Sequence, residues 1–365
     1  MLIPASILAG EKDNAMTLLL RHLFCLKFSP LTKLRIKRFT QNRRGFYSLW
    51  IFLSLFGICC FADFIANDQP LLVSYKNHLY FPILQNYPET TFGGEFDTTT
   101  NYKDPFVKNL IEDNGFMIWP LIPYGYDTIN YDLPSPAPSP PSLENILGTD
   151  DQGRDLSARL LCGFRISLFF GLCLTLASAV LGIMMGGIQG YFGGRVDIIT
   201  QRFVEIWSGL PILYLLIILS SLVDPNFWWL LGLMMFFKWT TLVGVVRAEF
   251  LRGRNFDYVR AARALGVPSF LIMFRHILPN AMVASLTYLP FILNASISTL
   301  TSLDFLGFGL PPGSPSLGEI LSQGKNNLHA PWLGVTGFLS VSILLGLVTF
   351  IGEGVRDAFD PRKVF

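Results

Sequence analysis

Apolar residues in this chain gather into long uncharged runs bounded by charged positions, in place of the short periodic stripes of a soluble core. A helix that crosses a bilayer needs about 20 such residues. Six stretches qualify: Phe46 to Ala66, with Asp63 near its far end; the interval between Arg165 and Arg195; the interval between Glu205 and Asp224; Phe227 to Val246, interrupted by Lys238; Asn280 to Leu303; and Trp332 to Gly352. The pattern predicts an all-α membrane protein with about six transmembrane helices, solvated by membrane lipid.

Lysine and arginine in the connections set orientation, because the side with the excess stays in the cytoplasm. The segment from Arg21 to Arg44 holds eight of them; Arg195 and Arg202 follow the second run, Arg247 to Arg275 carry six more, and Arg356, Arg362 and Lys363 close the chain. Residues 67–164 instead carry thirteen acidic residues against five basic ones, a net of −8. Both termini are therefore expected in the cytoplasm. The expected organisation is a basic N-terminal segment 1–45, a first span 46–66, a periplasmic insertion 67–164, a five-helix core 165–352 with a cytoplasmic loop 248–279, and a cytoplasmic tail 353–365. The insertion contains a proline-rich run, residues 134–141, that favours extended polyproline structure. Its many aromatics, among them Phe81, Tyr87, Phe92, Phe96, Tyr102, Phe106, Phe116 and Trp119, argue for a small ordered cap over a disordered loop.

Composition agrees: 51% of residues are hydrophobic and 15% charged, where a soluble domain has about 25% charged. The net charge of +2 is too small to suggest a nucleic-acid partner. The first residues do not read as a signal peptide, since Glu11, Lys12 and Asp13 interrupt the short apolar run, and Met16 is an alternative start. Cys25, Cys59, Cys60, Cys162 and Cys173 lack metal or redox spacing, and His22, His78, His276 and His329 are scattered, so no metal or catalytic site is expected. The nearest approach to a phosphate loop, Gly318 to Asn326, has the wrong spacing and lacks the hydroxyl residue that would hold magnesium; it reads as an outer loop. The chain is thus expected to bind no cofactor.

Polar groups within the runs are few. Lys238 either faces a wet cavity or snorkels to an interface. Thr287, Asn294, Ser298 and Thr301 recur at helical spacing on a run that Pro290 can kink; such a stripe either hydrates a permeant or bonds neighbouring helices. Ser178, Gly182, Gly186 and Gly190 form a ridge of small residues suited to close helix packing.

The most specific stretch is Asn255 to Asn280. A helix-forming run, Tyr258 to Leu265, stops at Gly266 and Pro268, and a second amphipathic run leads into the next span. Arg260, Ala261, Ala262, Gly266, His276, Leu278 and Pro279 fall where the EAA loop of ABC importer permeases has Glu-Ala-Ala, then Gly, then Ile-x-Leu-Pro; Arg260 replaces the glutamate and His276 the isoleucine. Leu147 to Asp155, Arg165 to Leu168, Tyr191 to Asp197, Leu303 to Pro311 and Gly354 to Arg362 resemble the dipeptide and oligopeptide permeases of the C type. The large insertion, with Phe64 to Val73, is similar to the Yej-type permeases of microcin C and peptide importers. The resemblance implies half of an inner-membrane passage for peptides or peptide-like compounds. Its implied partners are a B-type permease in a heterodimer, a cytoplasmic ABC ATPase that uses ATP and receives the loop as a coupling helix, and a periplasmic substrate-binding protein. In that reading Ala261 and Ala262 let the loop helix lie close against the ATPase. Other classes left open are an ion-coupled secondary transporter, a membrane scaffold or intramembrane enzyme, and an ABC permease for a non-peptide substrate such as nickel.

Overall fold

The computed structural model describes residues 30–220, 223 and 226–360. Arg21, Lys27, Cys25, His22, Met16, Asp224, Arg362 and Lys363 lie outside the described residues.

The described chain starts with an amphipathic basic helix, α1 (Pro30–Gln41), followed by α2 (Arg43–Cys60) and a short continuation, α3 (Ala62–Ile65). Asn42 separates the first two: its side chain accepts the Gly45 N–H at 3.2 Å and donates to Asp357 Oδ2 at 3.3 Å, capping α2 and tying it to the last helix.

Residues 67–155 form an ordered mixed lobe, so the all-α expectation holds for the long helices and not for the insertion. Strands β1 (Leu72–Tyr75), β2 (His78–Tyr80) and β3 (Gly115–Ile118) make an antiparallel sheet of order β2-β1-β3, covered by helix α4 (Pro105–Glu112). Phe92 is its fully buried centre, meeting Tyr75, Tyr80, Tyr87 and Tyr102 edge-on. Of the other aromatics whose number pointed to an ordered cap, Phe81, Phe96, Phe106 and Phe116 are exposed. The proline-rich run is pinned where Ser139 and Thr149 exchange hydrogen bonds of 2.8 and 2.9 Å.

Helix α5 (Leu156–Phe192) is 37 residues long, about 55 Å at 1.5 Å per residue. It begins nine residues before the expected boundary at Arg165, because Asp155 caps it through the Ala158 N–H at 2.8 Å. There follow α6 (Gly194–Ser208) and α7 (Ile212–Ser220), bent by 65° in place of the straight third run, then α8 (Phe227–Lys238) and α9 (Thr240–Gly253), which together make one span. After a small helix α10 (Asp257–Ala264) come α11 (Leu278–Phe305), α12 (Leu317–Asn326) and α13 (Pro331–Phe359). Among the described residues four spans are long and apolar enough to cross a membrane, and the bent pair would make five; α2 is 18 residues long and opens on Arg43 and Arg44.

The small-residue ridge is a packing device. A Cβ on Gly182 would lie 2.9 Å from the Trp239 carbonyl oxygen, on Gly186 2.6 Å from that of Val243, and on Gly190 2.5 Å from that of Arg247. Helices α5 and α9 therefore touch backbone to backbone for two turns. At the far end Arg247 holds Asp197 of α6 in a bidentate pair, its Nε and Nη2 donating to the two carboxylate oxygens at 2.5 and 2.8 Å. Since neither Val243 nor its carbonyl can retreat without breaking a helix, Gly186→Val is expected to destabilise by about 1–3 kcal/mol. Gly232→Ala, which meets nothing within 4 Å, should leave the detergent-solubilised protein's melting temperature unchanged. Equal melting of the two variants would refute the close approach.

Candidate functional site

Helix α10 occupies the end of the bundle opposite the insertion, since the C-terminal end of α5 anchors it: Arg254 donates to the Tyr191 carbonyl at 3.3 Å and Arg263 stacks 5.3 Å over the Tyr191 ring. Its limits fall within one residue of those read from the sequence. Its termination is a Schellman motif, with the Gly266 N–H on the Arg263 carbonyl at 3.0 Å and the Val267 N–H on the Ala262 carbonyl at 3.1 Å. Gly266 has φ +78°, the left-handed region that favours glycine, while a Cβ there would meet nothing within 4 Å. The requirement for glycine is thus purely conformational.

The two alanines part company. Val259 and Ala262 are buried in a cluster with Phe250, Ile272, Met273 and Ile277, while Arg260, Ala261 and Ala264 are exposed and Leu265 is 83% exposed. Ala262 therefore seats the helix on its own protein, which corrects the expectation that both alanines face a partner. A helix of eight residues turns twice, and the three-residue step from Val259 to Ala262 puts them on one face.

The returning segment passes through a π-helical stretch, Ile272–Ile277, that ends two residues before Pro279. Proline offers no N–H to the ladder, so the hydrogen bonds shift register there. The Tyr258 hydroxyl donates to the His276 carbonyl at 3.3 Å and accepts from Asn280 Nδ2 at 3.1 Å, clamping α10 to the start of α11. His276 contributes its backbone to the clamp, Leu278 packs on the buried cluster, and Pro279 is exposed. On the returning segment Phe270, 70% exposed, and Phe274 stand with their rings 4.4 Å apart. Sequence reasoning passed over Leu265, Phe270 and Phe274. Their signal is that apolar residues flank a Gly-Val-Pro turn in an otherwise basic stretch.

The polar stripe on α11 does not act as a unit. Asn294 donates to the Leu345 carbonyl at 2.9 Å and Thr349 Oγ1 at 2.7 Å, bonding α11 to α13. Thr301 is buried and bonds back to the Ile297 carbonyl at 3.0 Å. Thr287 lines a cavity of about 450 Å³ with Arg252 and Arg356, and Ser298 is half-buried. The helix-bonding alternative holds for Asn294, and the stripe is not a continuous hydrated face. Lys238 sits half-buried at the α8–α9 junction, with no hydrogen bond or ion pair among the described residues.

A second polar centre, at the insertion end, was not anticipated. Arg159, in the first turns of α5, is wholly buried. Its guanidinium reaches Asp150 Oδ2 at 3.3 Å and Glu319 Oε1 at 3.2 Å and donates to the carbonyls of Tyr126, Gly313 and Ser314. Arg154 joins it, 2.7 Å from Asp150 and 3.5 Å from Glu319. Burial pushes the Glu319 carboxyl up, and the two arginines pull it back. Nearby, Asp304 accepts from the Leu310 N–H at 2.8 Å and from the Ser316 hydroxyl at 2.7 Å. The motifs at Leu147–Asp155 and Leu303–Pro311 meet here. Gly318 belongs to this packing: its Cβ would lie 2.3 Å from the Thr301 carbonyl. The stretch expected as an outer loop is helix α12, capped by Ser316 on the Glu319 N–H at 3.2 Å.

A family model described as the binding-protein-dependent transport system inner membrane component matches residues 178–364, which include α9, α10 and α11. An inner membrane ABC transporter permease protein YejE of Escherichia coli is 61% identical over 337 residues, covering 92% of this chain and 99% of that protein. The chain belongs to this transport family. A peptidoglycan transport system permease protein YejE of Agrobacterium fabrum is 56% identical over 362 residues, covering 93% and 95% of the two chains. An oligopeptide transport system permease protein OppC of Lactococcus lactis is 35% identical over 223 residues, 60% of this chain and 76% of that one. As an inner-membrane permease the protein is multi-pass, and the resemblance to Yej-type and C-type permeases holds.

In this permease the arginine centre should carry stability. Arg159→Met leaves the buried Asp150 and the half-buried Glu319 against less positive charge, and is expected to cost about 3–5 kcal/mol. Adding Glu319→Gln should recover part of that loss. Denaturant or thermal unfolding of the solubilised protein reads both; an unchanged midpoint for Arg159→Met would show the centre to be dispensable.

Proposed function

We propose that this permease forms half of the inner-membrane passage of a binding-protein-dependent importer for peptides or peptide-like compounds. The transport family and the relatives named for oligopeptide and peptidoglycan transport support that reading. The passage is completed by a related B-type permease. ATP is hydrolysed by a cytoplasmic ATPase, and a periplasmic protein delivers the substrate. In this reading six spans cross the bilayer, with α2 first and the bent α6–α7 pair third, and both termini are cytoplasmic.

One observation carries the coupling role of α10. The helix is fixed to α5 and α11 on one face, closed by a left-handed glycine, and exposed on the other through Arg260, Ala261 and Leu265, and the segment that follows exposes Phe270 and Phe274. Apolar anchors ringed by basic groups suit a groove on a partner whose movement must reach the membrane without being absorbed in the loop.

Gly266→Val forces a β-branched residue into the left-handed region, at about 1–2 kcal/mol of local strain, and Leu265→Glu puts a charge on the free face. Both variants are expected to reach the membrane at normal levels yet lose ATPase co-purification or substrate uptake. Gly266→Asn, which tolerates this conformation, should keep more of both. Normal uptake and normal ATPase retention in both variants would rule the loop out as the coupling element. Orientation is tested separately by cysteine labelling. An impermeant reagent applied to intact spheroplasts should reach position 100 and not position 260; the reverse would invert the topology.

A further inference from the structure

The span made by α8 and α9 holds a charge far from either of its ends. Lys238 is the last of the 12 residues of α8, and residues 239–246 part it from the next charge, Arg247, by about 12 Å of helix. Phe227, at the other end of α8, is further away still. The side chain therefore starts near the middle of a hydrocarbon core about 30 Å thick. An aliphatic stem carries a lysine head part of the way to the headgroups from there, and not all of it. A lysine costs about 2.5–3.5 kcal/mol at that depth, so water or an anion must meet it.

The protein's own groups do not. Lys238 has no hydrogen bond or ion pair among the described residues, and it is half-buried, so its head is neither paired nor sealed. No charged residue stands between Arg165 and Arg195, between Glu205 and Asp224, from Asn280 to Leu303 or from Trp332 to Gly352. These are the stretches of the neighbouring spans that share its depth.

The backbone is irregular at the same place. Helix α8 stops at Lys238 and α9 starts at Thr240, with Trp239 between them in a turn and no proline in either helix to account for the break. The carbonyls just before it accept side chains: that of Phe236 takes the Trp207 indole N–H at 2.9 Å and that of Phe237 the Thr240 hydroxyl at 3.4 Å. Insertion of a side chain into the ladder is a cause of such breaks. Trp207 in turn lies just ahead of the 65° bend between α6 and α7. Two interrupted helices thus meet within a turn of the unpaired lysine. Irregular backbone at membrane depth survives only against protein or a wet cavity, and transporters place permeant sites at interrupted helices near the midplane.

We propose that Lys238 lines the passage at mid-membrane and pairs with the C-terminal carboxylate of the peptide in transit. A carboxylate loses hydration at that depth and an unpaired ammonium offsets the loss, whereas the peptide's own ammonium is repelled. The proposal rests on the importer reading above and adds to it the group that receives the negative end of the substrate.

The test uses the full chain with its partner permease, ATPase and binding protein in proteoliposomes, in a cysteine-free background that retains uptake. Lys238→Cys should slow tri-alanine uptake about tenfold, the lower end of what a hydrogen bond to a charged group contributes. Aminoethyl methanethiosulfonate, which puts an ammonium back on the thiol, should restore most of the rate, and the neutral methyl reagent should not. Both reagents attack the thiolate, which forms only where water reaches. Lys238→Met should slow tri-alanine about tenfold as well, while leaving tri-alanine amide nearly unchanged. An introduced thiol that does not react overturns the proposal, as does unchanged tri-alanine uptake in Lys238→Met or equal slowing of the free peptide and its amide. Loss of the partner permease from purified Lys238→Met complexes assigns the ammonium to a carboxylate of that subunit, and also overturns it. A parent complex that transports neither peptide brings down the importer reading together with the proposal; tri-alanine uptake that is indifferent to Lys238→Met removes the receiving lysine and leaves the importer standing.

Discussion

The backbone contact between α5 and α9 is the constraint on which the rest of the structure depends. Gly182, Gly186 and Gly190 let the carbonyls of Trp239, Val243 and Arg247 approach to distances that any side chain would forbid. In a membrane, apolar contact alone does not bring two helices together, since lipid tails are as apolar as leucine; close packing of small residues does. Helix α9 ends at Gly253, which is buried against Ile277, and a turn of three residues leads from it into α10. Helix α10 and the α5–α9 seam are thus joined through one short turn and the packing of Gly253. Because α5 continues as one helix to Asp155, the same seam links the loop at one end of the bundle to the arginine centre at the other.

That arginine centre explains why the sequence misplaced the start of α5. A charged residue near an apolar run ordinarily marks its end, so Arg165 bounds the span read from the sequence and Arg159 falls within the insertion. Arg159 lies inside the helix because two carboxylates and three carbonyls surround it, one of those carboxylates from a residue 160 positions away. Pairing over such separations leaves no local signal. The insertion was opaque for a related reason. Strands of three or four residues are too short to show alternation, and although the aromatic count foretold an ordered lobe, it could not say that Phe92 would be the centre and Phe96 the surface.

What could be read was what depends on local chemistry. The apolar runs are compositional, the glycine ridge is a four-residue repeat, and the left-handed Gly266 follows from a helix-forming run that meets Gly-Val-Pro. The bend between α6 and α7 was missed even so, although Gly209 and Pro211 stand at the break. Both residues sat inside a run whose apolarity alone was weighed. Asn294 shows the complementary limit: an amide in a span has two good uses, and only the positions of Leu345 and Thr349 decide between them.

The division of labour within α10 bears on how its departure from the related loops is to be understood. With Ala262 committed to the buried cluster, the residue two positions earlier, Arg260, is on the exposed side. An arginine where the related loops have glutamate therefore changes the charge a partner meets, and leaves untouched the packing that holds the helix. The hydrogen bonds that fix the helix end involve the backbone of Ala262, Arg263, Gly266 and Val267, none of which depends on the side chain at position 260. Shape and closure of the loop are thus set by its glycine and its buried face, while the charge at position 260 is independent of both.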